Sequence, residues 1–514
     1  MDSLDMKMPG FMVYCVVVAC LGSFSNGWVI GSANVPGEVT HACENGAAHV
    51  ASAAFPDCLP MNTGLWGFAV ASFCVGGLFG GLFGGQIQTK FGRKKTIIFN
   101  NIGWIIGALL IGVAVNPAMF IIGRIFCGLS CGLGSLSTPT YVGEISTIKA
   151  RGTMGTCNQF AIVIGILLAS VIGLPLAYVP LWRINYAIVA IPAIAQFFLM
   201  AGCPESPRYL ISINRIEEAR DALQKLRPNA NIDKEFFGMV EGQLGLAAAE
   251  SLTGTDIKPG FDETDLKDNY NEEHIEDGIE LAKTPTAMTE GPGGAAGVHD
   301  TLGMVGIWQD PLVRRIALTV ITLHITQQLI GMNAVMYYST TIFNMSFDAE
   351  MSMYMAIVTT AVNFASTILS LILIDRMGRR PLLLIAETGA CIFSVLLIIG
   401  YVYNIGALLI VSVFGYVVAF AIGVGPIPWM MTSELTPVYA SSAVGSVATA
   451  VNWAMNFLIG QCFPLIFAGI KGYSFAIFAG VAAAAVVFTY YCVPETKGRS
   501  VEDIVMDFEV KKAA

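Results

Sequence analysis

This sequence predicts an all-α membrane fold of twelve helices in two repeated halves, and three observations carry that prediction. The 514 residues are 55% hydrophobic and only 13% charged, against about 25% charged in typical soluble chains, and mean hydropathy is +0.66. Apolar runs long enough for a bilayer core, which takes about 20 residues per helix, recur twelve times. A landmark also recurs: Lys90, Gly92, Arg93, Lys94 and Lys95 after one run return as Arg376, Gly378, Arg379 and Arg380 after another.

The runs fall near 11–31, 63–86, 96–116, 118–142, 154–175, 182–203, 312–343, 351–374, 381–402, 407–433, 443–468 and 471–493. Six runs, a polar gap and six more divide the chain into an N-terminal half (1–203), a linker (204–311), a C-terminal half (312–493) and a tail (494–514). Before the first run stand Met1 to Gly10 with the single basic residue Lys7, and no small-residue cleavage site follows it. The run therefore reads as a retained signal anchor. Cys43 and Cys58 lie in the polar segment after it and could pair in an oxidising compartment. The other ten cysteines sit in apolar runs and read as small core residues.

The second run carries Gly76-Gly77, Gly80-Gly81 and Gly84-Gly85. A spacing of four lines them along a helix face that another backbone can approach closely. The loop after it holds Lys90, Arg93, Lys94 and Lys95, loop 4/5 holds Lys149 and Arg151, and loop 8/9 holds Arg376, Arg379 and Arg380. Segments 32–62, 344–350 and 403–406 contain neither Lys nor Arg. Because Lys and Arg stay on the cytoplasmic side, both termini and the linker are expected inside. The one sequon, Asn344-Met345-Ser346, then falls in an outside loop where glycosylation is topologically open.

In the linker, Ile213 to Arg227 interleaves charges with Ile216, Ala219, Leu223 and Leu226 at helical spacing. That pattern predicts an amphipathic helix lying on the cytoplasmic ends of the bundle. From about 250 to 300 the pattern dissolves into acids, Gly, Pro and Thr and reads as a disordered linker. Glu250 to Glu290 alone holds 12 acids against Lys258, Lys267 and Lys283, a balance equal to the whole chain's formal charge of -9. The rest is balanced, and no nucleic-acid partner is expected.

No enzyme constellation emerges: there is no Walker A sequence, no His-x-x-x-His and no Cys-x-x-Cys. No metal or cofactor is expected, no obligate protein partner is implied, and His324 reads as a hydrogen-bonded core residue. What stands out is neutral polarity inside spans. The seventh run reads Gln327-Gln328-Leu329-Ile330-Gly331-Met332-Asn333-Ala334-Val335-Met336-Tyr337-Tyr338, and Gln159, Asn363, Trp429, Asn452, Trp453 and Asn456 extend the theme. Desolvating such groups is costly, so they should face a cavity or each other rather than lipid. Amides both donate and accept, which suits a ligand covered in hydroxyls, and an indole face suits the C–H face of a sugar ring. Gly423, Gly425, Pro426 and Pro428 interrupt the tenth run beside Trp429, as expected of a moving gate that lines a cavity.

With these residues, the chain resembles the sugar porter branch of the major facilitator superfamily, and within it the facilitative glucose transporters. The match is carried by Gly123-Arg124, Pro139 to Glu144, Arg151-Gly152, Pro204-Glu205-Ser206-Pro207-Arg208, Gln327 to Tyr338, Asp375 to Arg380, Gly425-Pro426-Ile427-Pro428-Trp429 and Pro494 to Arg499, leaving out about 228–300. The resemblance implies a major facilitator fold, two six-helix halves rocking about a central sugar site, and a small-molecule sugar as substrate in a bilayer, expected to be the plasma membrane. It implies that Gln159, Gln327, Gln328, Asn333, Asn363, Trp429 and Asn456 bind the sugar, while Phe420, Tyr337, Tyr338, Asn452 and Trp453 line or close the path. It also implies a cytoplasmic charge network of Arg93, Glu144, Arg151, Glu205, Arg208, Asp375, Arg379, Glu434, Glu495 and Arg499 latching the outward-facing state.

Departures from the family pattern are Thr89 in place of an acid, Ser441 in place of an Arg, Ala421 in place of a sugar-contacting Glu, and Ile330 in place of a Ser. Proton-coupled relatives carry an Asp in the first span, where this chain has Asn26, before Val29-Ile30. An amide cannot titrate, so facilitated diffusion is the favoured reading. Proton symport, a transporter-like sugar sensor and a polyol or inositol carrier stay open as alternatives.

Overall fold

The computed structural model describes residues 8–42, 55–147, 149–244 and 303–497, together with 249, 251, 499, 504 and 508. Cys43 and most of the acidic stretch 250–300 lie outside the described residues. The N-terminal half comprises α1 (Gly10–Gly31), a short α2 (Gly37–His41), α3 (Thr63–Phe91), α4 (Arg93–Gly112), α5 (Pro117–Ile145), α6 (Arg151–Leu176), and a sixth helical run split into α7 (Trp182–Ala187) and α8 (Ala190–Ala201). Three short helices follow, α9 (Pro207–Ser212), α10 (Ile216–Leu226) and α11 (Asp233–Leu244). The C-terminal half begins with α12 (Gly306–Gln309) and continues through α13 (Pro311–Leu329), α14 (Met332–Phe343), α15 (Ala349–Met377), α16 (Arg379–Val402) and α17 (Gly406–Ala419). After a π turn (Phe420–Val424) come α18 (Ile427–Leu435), α19 (Val438–Ile470), a 3-10 turn (Lys471–Ser474) and α20 (Phe475–Cys492). The described residues contain no strand.

Each of the twelve expected runs is helical, with boundaries moved. The second and eighth extend to Phe91 and Met377, because Lys90 and Arg376 continue a helix as readily as they stop one. The seventh is broken at Gly331, whose φ of 100° lies in the left-handed region. A Cβ there would sit 2.6 Å from the Phe478 ring. Among the described residues, ten stretches are long and apolar enough to cross a membrane, and one of them, Ala443–Cys492, spans both α19 and α20. Among the described cysteines ten are free, and Cys58 is disulfide-bonded.

The glycine pairs of α3 serve two partners rather than one face. A Cβ on Gly76 or Gly80 would strike the backbone of α5, while one on Gly77 or Gly81 would strike Trp453, at 2.6 Å, or Thr449, at 2.9 Å, on α19. The pairs therefore join α3 both to its own half and to the other half. Arg124 of α5 adds to this seam: it is buried and donates to the carbonyls of Val29 on α1 (3.0 Å) and Val70 on α3 (2.7 Å).

The linker helix α10 buries Ala219, Ala222, Leu223 and Leu226, the face expected from its spacing. Arg227 at its end is fully buried, pairs with Glu235 at 3.0 Å and donates to the Ile145 carbonyl at the end of α5. The short helices are thus seated on the end of the bundle that bears the Lys and Arg loops.

Candidate functional site

The break at Gly331 brings the polar run of α13 and α14 against the π turn and α19. Gln327 is buried and donates to the carbonyls of Val424 (3.0 Å) and Gly425 (2.6 Å), two of the acceptors that the broken helix leaves without a helical partner. Its own oxygen accepts from Asn452 Nδ2 at 2.7 Å. Gln328 donates to Asn452 Oδ1 at 3.0 Å and accepts from Asn333. Tyr337 donates to Asn456 Oδ1 at 2.7 Å and Tyr338 to the Gly460 carbonyl at 2.8 Å. Each polar side chain in this run has at least one protein partner, which is how it survives at membrane depth.

His324 belongs to the same network, with one ring nitrogen 2.9 Å from Thr432 Oγ1 and the other 3.1 Å from Asn452 Nδ2. Its ring meets Trp429 edge-on, with centroids 4.7 Å apart. The expectation of a hydrogen-bonded histidine is met, and its place beside Trp429 is new. Trp453 packs edge-on against Phe73 of α3 at 5.8 Å, and Phe73 meets Tyr337 at 6.0 Å. Phe420 lies in the π turn, 3.4 Å from where a Gly425 Cβ would stand.

Gln159 and Asn363 behave differently. They lie on α6 and α15, where the neighbouring Phe160 and Phe364 rings join the two halves with centroids 5.4 Å apart. Neither amide hydrogen-bonds to the protein, and neither is sealed from water. Asn456 likewise keeps its Nδ2 uncommitted. Asn26 on α1 is 9% exposed, and its Oδ1 has no partner.

At the basic end, the two copies of the landmark build one motif twice. Gly92 and Gly378 have φ of 89° and 90° and begin α4 and α16. The conformation favours glycine, and the missing side chain lets a carboxylate reach the helix N-terminus, where bare N–H groups favour an anion. Glu205 Oε1 accepts from the backbone of Arg93 (3.0 Å) and Lys94 (2.9 Å), and Glu495 accepts from Arg379 and Arg380 (both 3.0 Å). Each arginine then pairs within its own half, Arg93 with Glu144 and Arg379 with Glu434, both at 2.9 Å.

The copies differ in electrostatics. Burial dominates at Glu205 and pushes its carboxyl above the usual range, against the pull of the Lys94, Ser206 and Arg93 amides. At Glu495 burial also pushes up, but the amides of Arg379, Lys497, Arg380 and Thr496 together outweigh it and hold the carboxyl below that range. Arg208 is partly buried with its Nε unpartnered, and Arg499 is exposed. The side chains of Arg151 and Asp375 lie outside what is described.

The roles of three residues were not anticipated from sequence. Asn34, after α1, donates to Ser339 Oγ at 2.6 Å and accepts from Thr340, tying the halves together at the end opposite the basic loops. Glu387 is buried in α16. Arg124 was visible as part of a motif but not as a carboxylate-free anchor. A lone Asn or Glu in an apolar run gives no periodic signal, so only the fold shows what it meets.

Comparison with known proteins decides the class. The family model described as sugar (and other) transporter matches residues 15–253 and 289–508. The chain belongs to the sugar transporter family. Relatives of this transporter include solute carrier family 2, facilitated glucose transporter member 3 of Mus musculus, 33% identical over 98% of this chain and 94% of the relative. Member 4 of Mus musculus is 34% identical, with 98% and 91% covered, and member 2 of Sus scrofa is 30% identical, with 99% and 96% covered. The transporter shares its fold with the xylose transporter XylE from E. coli in a partially occluded inward-open conformation, at a TM-score of 0.68 and 23% identity over 95% of this chain and 99% of that one. A structure of XylE as a proton:xylose symporter bound to 6-bromo-6-deoxy-D-glucose gives 0.68 at 24% identity, covering 97% and 99%. The fold is thus that of a major facilitator, and the protein is an integral membrane sugar transporter.

Proposed function

We propose that this protein is a facilitative hexose transporter for a glucose-like sugar, a uniporter working by alternating access between units 1–203 and 312–493, with 204–311 and 494–514 serving as linker and tail. The observation that carries the reading is the pairing of committed and uncommitted amides. Gln327, Gln328, Asn333 and Asn452 are organised among themselves, while Gln159, Asn363 and Asn456 Nδ2 keep donors and acceptors for a ligand beside the Trp429 ring. A hydroxyl-rich neutral solute can join such a network without charge compensation. Tyr337, Tyr338, Phe420, Asn452 and Trp453 line or close its path. The charged motifs at the basic end, which this reading places in the cytoplasm of a cell bounded by the plasma membrane, brace each half internally, Arg93 with Glu144 and Arg379 with Glu434, so that each moves as a unit when sugar shifts the balance.

Uniport rests on Asn26, an amide where a coupling carboxylate would stand. The second reading, proton symport, is favoured by the likeness of fold to a proton:xylose symporter. Uptake and counterflow in proteoliposomes, with and without a pH gradient, across glucose, fructose, galactose, xylose and inositol, separate the two. Equilibration without accumulation supports uniport. Concentrative uptake driven by an imposed pH gradient overturns it, and failure to carry any hexose overturns the substrate assignment.

A further inference from the structure

We propose that Glu387 is a proton-binding site inside the C-terminal half, a neutral carboxylic acid whose ionisation loosens α16 from α20 and slows transport. Glu387 is 1% exposed and lies in the third turn of α16. Its Oε1 accepts from Thr489 Oγ1 of α20 at 2.9 Å, and Thr489 is itself fully buried. Its Oε2 is sealed from solvent and has no partner. An ionised carboxylate at such a site calls for a cation or several donors, and an ionisable group at membrane depth implies a function by default.

Among the described residues no cation supplies that compensation. On its own helix, Arg379 and Arg380 are at the N-terminus, engaged with Glu434 and the Tyr490 carbonyl, and Cys391 and Tyr401 lie further along. On α20, Tyr490, Tyr491 and Cys492 follow Thr489 and are exposed. On α17, Tyr416 donates to the Ile330 carbonyl. The π turn carries no titratable group, α15 brings Asp375 and Arg376 only at its basic end, and Lys471 and Tyr473 of the 3-10 turn sit at the opposite end of α16.

The internal repeat gives an independent argument. Glu387 stands eight residues after Arg379, and eight residues after Arg93 stands Asn101. Asn101 is also fully buried, donates to the Ile97 carbonyl of its own helix, and leaves its Oδ1 unpartnered. The first half thus places a permanently neutral amide where the second places an acid. One property distinguishes them: the acid can lose a proton.

The consequence reaches the gate through packing. Ala386, the residue before Glu387, lies 2.7 Å from where a Gly423 Cβ would stand, so α16 is the surface on which the π turn rests. Ionisation breaks the Oε2–H bond, passes the proton to solvent and leaves a buried carboxylate with Thr489 as its single donor. The α16–α20 seam then has to open to hydrate it.

The test uses the full chain in proteoliposomes with equal pH on both sides, comparing wild type with Glu387→Gln. Wild-type uptake of labelled glucose is expected to fall about tenfold between about pH 6 and about pH 9, and that of E387Q to stay within about twofold. Infrared spectra at neutral pH are expected to show a protonated carboxylic acid band that E387Q lacks, a readout independent of which sugar is carried. Absence of an E387Q-sensitive acid band, or an E387Q pH curve that follows wild type, overturns the proposal. If E387Q does not insert, Thr489→Val removes the only donor to the carboxylate and must move the fall in uptake to higher pH; an unmoved or lowered profile overturns it equally.

Discussion

The first six helical runs and the last six share a plan and differ in where the backbone breaks. In the first, α1, α3, α4, α5 and α6 are continuous, the seams are glycine against backbone, and one buried arginine ties three helices together. In the second, α13 and α14 part at Gly331, the π turn interrupts α17 and α18, and the freed carbonyls are taken up by side-chain amides. Close packing of bare backbone leaves no room to adjust, whereas a broken helix held by side chains can exchange partners. The comparison assigns rigidity to one half and adaptability to the other.

The strongest way to break that assignment is to crowd the rigid half. Gly128→Val drives a side chain into the Phe73 carbonyl of α3 and should cost about 3 kcal/mol or more, seen as loss of folded protein in thermal unfolding. A stable, active G128V transporter would end the idea of an incompressible first half. Next come Gln328→Ala and Asn333→Ala, expected to lower sugar uptake about tenfold to a hundredfold, the range for one or two lost hydrogen bonds at a desolvated site. Because the adaptable half can re-pair its amides, melting temperature should hardly move; a parallel fall in both would recast these residues as structural. Gln159→Ala, the one proposed sugar contact on the first half, should cost only about fivefold, mainly in KM.

A smaller effect separates the two helix-capping carboxylates. The fold depresses Glu495, so its ionised form adds stability that is present above the ordinary carboxylate range and is lost as pH falls through its folded value. Glu205 is raised, so its ionised form costs stability above its folded value, and acid relieves that cost. At neutral pH Glu495→Gln should destabilise by about 1 kcal/mol, the size of a lost helix cap, and Glu205→Gln by less. Equal melting shifts would show the two caps to be equivalent. Least of all, deleting residues 255–295 should leave uptake unchanged, and abolished transport in correctly inserted protein would refute the linker reading.

Much of this was legible in the sequence because membrane crossing and duplication both write periodic signals. The twelve runs follow from apolar length, and the Gly92 and Gly378 motifs from their repetition. Helix breaks were legible where glycine or proline marks them, as at Gly423 to Pro428. The partition between organised and uncommitted amides was not, since Gln328 and Gln159 are chemically identical and only the fold decides which finds a partner. Nor was the sharing of the α3 glycine pairs between α5 and α19, because adjacent residues point about 100° apart and spacing alone does not say what each meets. Asn34, Arg124 and Glu387 were hidden for the same reason: their meaning lies in partners from distant helices.

The α3–α19 seam has one further consequence. Gly77 and Gly81 present bare backbone to Trp453 and Thr449, so at these two positions the side chains that project across the seam come from α19 alone. A contact of this kind behaves as a plain bearing: the α19 side chains slide along a smooth track without meeting an opposing side chain at Gly77 or Gly81, and little packing enthalpy is lost on the way. The reorientation of the empty carrier should therefore have a shallow temperature dependence, and a Gly81→Leu tooth on the bearing should steepen it.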